Sequence, residues 1–269
     1  MNALRWLLIS SVLAVTVQAA TFENGTQVRR FEWGAYTVTM RRFLNPKLAD
    51  SVQVTRRDRR VLLEVRGAGL LTGTDSGEAG KALEDFTGDG QPELHLLAWS
   101  GGAYCCYTDL LFQQTKMGVR NILVFEGRLA NLGKGAVQPA SQPPRLLLEN
   151  DAIQFINCST HGPSTRLVLE WQGDRFVDAT RAFPALQIQR ALEYRKAIEG
   201  KRDFQGIIGD DLLSGYYASA WLAGLGASAK GWLIAQGHGT WLMAHGREIE
   251  RVLEQRRVWV DRRSLLYVR

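Results

Sequence analysis

Residues 51–67 read SVQVTRRDRRVLLEVRG. Val52 and Val54 alternate with polar neighbours, a polar break follows around Arg57-Asp58-Arg59, and Val61, Leu63 and Val65 then alternate again. An apolar period of two puts one face of each segment inward, and the break supplies a turn, so the stretch predicts an antiparallel hairpin. The same pattern lies upstream in TQVRRFEWGAYTVTMRRF, residues 26–43, where Gly34-Ala35 divides two strands. Downstream it recurs in PELHLLAWSGG, YCCYTDLLFQ, NILVFEG, RLLLEND, AIQFINCS and TRLVLEWQGDRFVDAT. Short strands separated by turn residues favour an antiparallel sandwich, barrel or blade-like meander over a parallel sheet with crossover helices. The segment from Gly127 to Leu147 holds Pro139, Pro143 and Pro144 and reads as a long surface loop inside this β region.

After Thr180 the period lengthens to about 3.6 residues. Pro184 suits a first helical position, with Ala185, Ile188, Ala191, Leu192 and Ile198 on one face and an end near Gly200. A second helix is expected from Asp210 or Asp211 as N-cap, with Leu213, Tyr216, Tyr217, Ala220 and Trp221 as its stripe and Gly224 near its end. A third covers Ala227–Gln236, and a fourth Thr240–Arg257 with Leu242, Ile249, Val252 and Leu253 inward. The tail VWVDRRSLLYV fits strand and helix equally. The fold class read from the sequence is therefore α+β: an antiparallel β domain over residues 21–181 (blade-like meander, sandwich or partial propeller), then a small helical region over 182–269.

The first twenty residues carry Arg5, an apolar run from Trp6 to Val17 and small residues at Ala19 and Ala20. This is the layout of a cleaved secretory signal peptide, and the run is shorter than the roughly 18–20 apolar residues of a span. The expected location is periplasmic or secreted, with no transmembrane span after cleavage. The chain has 269 residues, is 45% apolar and carries a formal charge of +6. That composition describes a globular protein rather than a disordered one. The arginine doublets are scattered, and no nucleic-acid motif is present, so nucleic acid is not an expected partner. An envelope protein or an anionic envelope polymer is.

One stretch suggests chemistry. In DFTGDGQPE, residues 85–93, oxygen-bearing side chains fall at relative positions 1, 3, 5 and 9: Asp85, Thr87, Asp89 and Glu93. Gln91 would add a backbone carbonyl and Gly90 a sharp turn, so five residues with hard oxygens line one loop, as calcium requires. An EF-hand is excluded because its twelfth position is Leu96 rather than a bidentate glutamate. The alternative is an acidic β-turn held by side-chain to backbone hydrogen bonds.

Residues 85–102, DFTGDGQPELHLLAWSGG, resemble the FG-GAP or VCBS class of extracellular repeats, whose blades carry acidic calcium loops just before a strand. SGGAYCCY, residues 100–107, is similar to the SGGAHCC signature of uncharacterised bacterial exported proteins with this loop. The resemblance rests on a single copy, whereas a closed propeller needs several. It implies a weak calcium-type loop, since position 3 is Thr and position 9 is Glu.

The chain has three cysteines. Cys105 and Cys106 point to opposite faces of one expected strand, so Cys158 is expected to bridge to Cys105 or Cys106, with the choice left open. A sharper alternative gathers Cys158, His161 and one of the paired cysteines into a zinc or nucleophile site. His95 reads as a core residue, and His238 and His245 share a helix face only if the helix starts before Gly239. The sequence lacks H-E-x-x-H, G-x-S-x-G, Walker and dinucleotide motifs. The functional expectation is an exported, non-catalytic envelope module. The alternative is an envelope hydrolase on an anionic or carbohydrate polymer, with a site among His161, the acidic loop, Trp99 and Trp171.

Overall fold

The computed structural model describes residues 21–43, 45, 49–67, 69–72, 82–99, 107–127, 137–138, 144–150, 162–203 and 209–255. Its strands form three antiparallel sheets. The first is a five-stranded meander in chain order: β1 (Thr21–Glu23), β2 (Thr26–Trp33), β3 (Tyr36–Phe43), β4 (Asp50–Arg56) and β5 (Val61–Gly67). The hairpins expected at residues 26–43 and 51–67 both form, with Trp33 opposite Tyr36 and Val54 opposite Leu63. Asn24 and Gly25, both at positive φ, make the β1–β2 turn, a short-range signal that the sequence reading passed over.

The second sheet contains β6 (Leu70–Thr72), β7 (Leu83–Glu84), β8 (Glu93–Trp99), β9 (Tyr107–Thr115) and β10 (Gly118–Gly127). Its order is β10-β9-β8-β6, with β7 also on β8. The third runs β11 (Val137–Gln138), β12 (Arg145–Asn150), β13 (Thr165–Trp171) and β14 (Phe176–Asp178).

The sheets stack in chain order. Leu94, Leu96, Leu110 and Phe112 on one face of the second sheet pack against Phe31, Trp33, Val38, Val52 and Val65 of the first. Its other face sends Leu111, Leu123 and Phe125 against Leu146, Leu148, Leu167 and Leu169 of the third. Hence β8 and β9 carry consecutive apolar residues, the mark of a strand covered on both faces. Each buried Leu, Val or Phe removes enough apolar surface from water to contribute roughly 1.5–3 kcal/mol.

The outer side of the third sheet carries the helices. After a 3-10 turn at Thr180–Ala182 come α1 (Pro184–Glu199), α2 (Asp210–Leu222), α3 (Gly226–Ala235) and α4 (Gly239–Gln255). Of these, α1 and α2 touch β13. Helix α2 is buried on all sides and centres a third core with Tyr194, Leu233, Trp241, Ile249 and Leu253. Among the described residues no helix is long and apolar enough to cross a membrane.

Two helical expectations are corrected. On α1, Ile188 is 37% exposed and Leu192 49%, and Ala185 is also exposed, whereas Gln187, Arg190, Ala191, Tyr194 and Ala197 are buried. The polar side faces inward because it finds partners there. The Gln187 amide donates to the Arg166 carbonyl, Arg190 pairs with Glu149 at 2.6 Å, and the Tyr194 hydroxyl bonds both the N–H and the carbonyl of Ser164 at 3.0 Å. Glu149 also pairs with Arg166 of β13. The N-cap of α2 is Gly209 rather than Asp210 or Asp211, at φ 58 and ψ −133, a conformation open essentially to glycine. Both aspartates fall in the first turn, where negative charge favours the helix dipole. Helix α4 starts at Gly239, so His238 lies outside it, and His245 stacks near Trp241 with ring centroids 5.5 Å apart.

A candidate cation loop at a sheet edge

The acidic stretch is the connection of the β7–β8 hairpin, which closes on the Leu83–Leu94 and Glu84–Glu93 pairs. Gly88 and Gly90 lie at φ 73 and 81, which lets the chain reverse between them. A Cβ at Gly88 would also sit 2.7 Å from the Pro144 ring, so the loop rests directly on the entry to β12. On its other side the Trp33 indole donates to the Pro92 carbonyl at 2.7 Å. The loop therefore touches all three sheets.

Its carboxylates are organised by backbone donors. Asp85 accepts from the N–H of Gly88 at 2.7 Å and of Gly90 at 2.9 Å. Asp89 accepts from the Gln91 N–H at 2.8 Å. Glu93, fully buried, takes the N–H groups of Phe86 and Thr87 at 2.7 and 3.1 Å and the Thr87 hydroxyl at 3.0 Å. From β9 the Gln113 amide donates to Asp89 at 3.2 Å and approaches Glu93 at 3.5 Å, and Arg120 of β10 holds its carbonyl end at 2.7 Å. Gln113 and Arg120 were not singled out in the sequence, because only strand register brings them to the loop.

Burial pushes Glu93 up to about 7, against the opposing pull of the Phe86 and Thr87 donors and with the nearby Asp89 charge adding to the rise. Half-buried Glu84 is raised as well, chiefly by desolvation.

Of the five residues read as ligands, the structure brings three together: oxygens of Asp85, Asp89 and Glu93 lie within 4.8 Å of one another. Thr87 is buried and its hydroxyl donates to Glu93, while Gln91, expected to offer its backbone carbonyl, lies exposed in the loop with its N–H on Asp89. The donor set is all hard oxygen, which fits calcium or magnesium rather than zinc; each oxygen of Asp85 and Asp89 keeps a lone pair beyond its one hydrogen bond, whereas Glu93 Oε2 already accepts two N–H groups. Three carboxylates fall short of the six to eight oxygens that calcium takes, so water or backbone would complete the shell.

His95, two residues along β8, is buried and meets buried Asp109 of β9 at 2.7 Å, with Phe86 edge-on to its ring. The pair sits between the second and third sheets. Trp171 packs on Phe176 with centroids 5.1 Å apart. Cys105, Cys106, Cys158 and His161 lie outside the described residues, as do residues 1–20, where a signal peptide is expected. Compared with protein families, curated proteins and solved structures, the chain matches none.

Proposed function

We propose that this chain is an exported, non-catalytic binding or structural module of the cell envelope, with the β7–β8 loop as a weak calcium-type site that fastens its three sheets. The observation that carries this reading is the convergence of Asp85, Asp89 and Glu93 within 4.8 Å on a loop that also touches Trp33 and Pro144. When bound, a hard cation supplies charge neutralisation to these carboxylates. The chain's own residues orient them: Gly88 and Gly90 aim Asp85, and Gln113 steadies Asp89. Export rests on the leader-like residues 1–20.

The test is thermal unfolding with millimolar calcium and with chelator, for the parent chain and Asp89→Ala. A ligand bound only by the native state stabilises by mass action, and a site in the millimolar class yields about 1–2 kcal/mol, or roughly 2–8 °C in Tm. The shift is expected to vanish in Asp89→Ala. An unchanged midpoint in the parent chain would return the loop to a hydrogen-bonded acidic turn.

A further inference from the structure

Four arginines crowd the tip of the β4–β5 hairpin. Arg56, Arg57, Arg59 and Arg60 are all exposed, and among the described residues none pairs with a carboxylate. Asp58, the single acid in the tip, is also exposed and accepts the Arg60 N–H at 3.0 Å. The Arg56 N–H bonds the Arg60 carbonyl at 3.0 Å and the Arg59 N–H the Arg56 carbonyl at 2.8 Å, which closes a tight loop with Arg59 at φ 66. That position in a three-residue hairpin loop favours glycine, yet the chain keeps a cationic side chain there against its backbone preference.

Neighbouring turns complete the surface. Arg56 lies opposite Tyr36, so the tip shares an end with the β2–β3 turn, and Gly34 of that turn abuts the Gln114 side chain near the end of β9. The β9–β10 turn follows, with Lys116 exposed and Met117 96% exposed, and β10 touches β5. Val61, the residue after Arg60, is 47% exposed.

We propose that this rim docks on the anionic headgroups of a lipid bilayer. Guanidinium forks match phosphate geometry, and Met117 and Val61 stand where apolar side chains would enter the headgroup and acyl boundary. A soluble polyanion would engage the arginines and gain nothing from Met117, which is why the lipid surface is assigned. Asp85 and Asp89 are held near the same end through the Trp33–Pro92 bond, so a cation in the loop would make the rim more positive. The lipid proposal itself does not require the cation.

The experiment is vesicle co-sedimentation of the full chain in chelator. Phosphatidylcholine vesicles are compared with vesicles in which about a third of the lipid is phosphatidylglycerol. The run at residues 6–17 would act on both alike and Arg5 would favour the anionic vesicles equally in parent and variants, so the readout is the ratio compared between parent and variants. Preference for the anionic vesicles is expected, lost at high salt and reduced about 30-fold in Arg57→Gln/Arg60→Gln. Met117→Ser is expected to weaken binding severalfold without changing its salt dependence. Arg59→Gly is expected to raise Tm by about 2–4 °C while lowering vesicle affinity about fivefold. Equal binding to both vesicle types, or variants that bind as the parent does, would overturn the proposal. So would binding to dextran sulfate that does not extend to vesicles and is indifferent to Met117→Ser. Calcium forms a separate arm: strengthening supports the loop reading, and its absence counts against that reading alone.

Discussion

In chelator, the parent protein is expected to lose about 3 kcal/mol of stability as pH rises from 4.5 to beyond 7, and Glu93→Gln is expected to remove that loss. The cause is the buried Glu93 carboxyl, pushed from 4.5 up to about 7 by desolvation. A carboxyl raised in the fold binds more protons folded than unfolded. Its contribution is therefore fully present below pH 4.5 and lost as pH climbs through 7. The charged groups facing it are Asp89 and Asp85 of the loop, Glu84 across the rung and Arg120 through Gln113. Glu84 and Asp50 are raised in the same direction, so the informative quantity is the difference between the two proteins. At pH 8 that difference corresponds to roughly 6–12 °C in Tm. Calcium should close it at high pH, since a cation holds the carboxylate ionised, and proton release on binding makes affinity rise with pH. Parallel stability curves for parent and variant would show that Glu93 ionises as an ordinary glutamate.

The second large effect is expected where α1 meets α2. A Cβ at Gly215 would lie 2.4 Å from Cζ of the Tyr194 ring. The ring has little freedom to retreat, because Tyr194 is fully buried and its hydroxyl is bonded twice to Ser164 in the segment leading into β13. Gly215→Val is expected to destabilise by about 3 kcal/mol, at the upper end for overpacking, and to lower Tm by roughly 6–12 °C. Tyr194→Leu, itself destabilising, should absorb part of the penalty when combined with it, so the double variant is expected to be more stable than the sum of the two singles predicts. Strict additivity would mean that the helices separate rather than clash.

Alternation alone located the hairpins of the first sheet, because each strand there has one covered face and one wet face. The same rule also held a signal for the stack: the runs Leu96-Leu97 and Leu110-Leu111-Phe112 are apolar on both faces, as a middle sheet must be. Which sheet covers which face depends on contacts far apart in the chain, and local pattern cannot contain them. Helix α1 misleads for a related reason. Hydrophobic periodicity assigns Ile188 and Leu192 to the inside, but the inward environment is set by Glu149, Ser164 and the Arg166 carbonyl, which reward Arg190, Tyr194 and Gln187 instead. At the loop, spacing was enough to gather Asp85, Asp89 and Glu93. The partners that hold them, Gln113 and Arg120, and the His95–Asp109 pair are set by β8–β9–β10 register, which the sequence does not display.

The order of strands has a kinetic corollary. Through the first sheet every strand pairs with the one just before it in the chain, and the second and third sheets are built mainly from such neighbours as well. Each sheet can thus close before the next has been delivered, through short turns in the first sheet and, because closure entropy grows only slowly with loop length, at modest cost across the longer 151–164 connection of the third. A chain that emerges amino end first, from a ribosome or from a membrane pore, can assemble this stack layer by layer. Each finished sheet then offers a template face to the following one, and the helices arrive last to seal the outermost sheet.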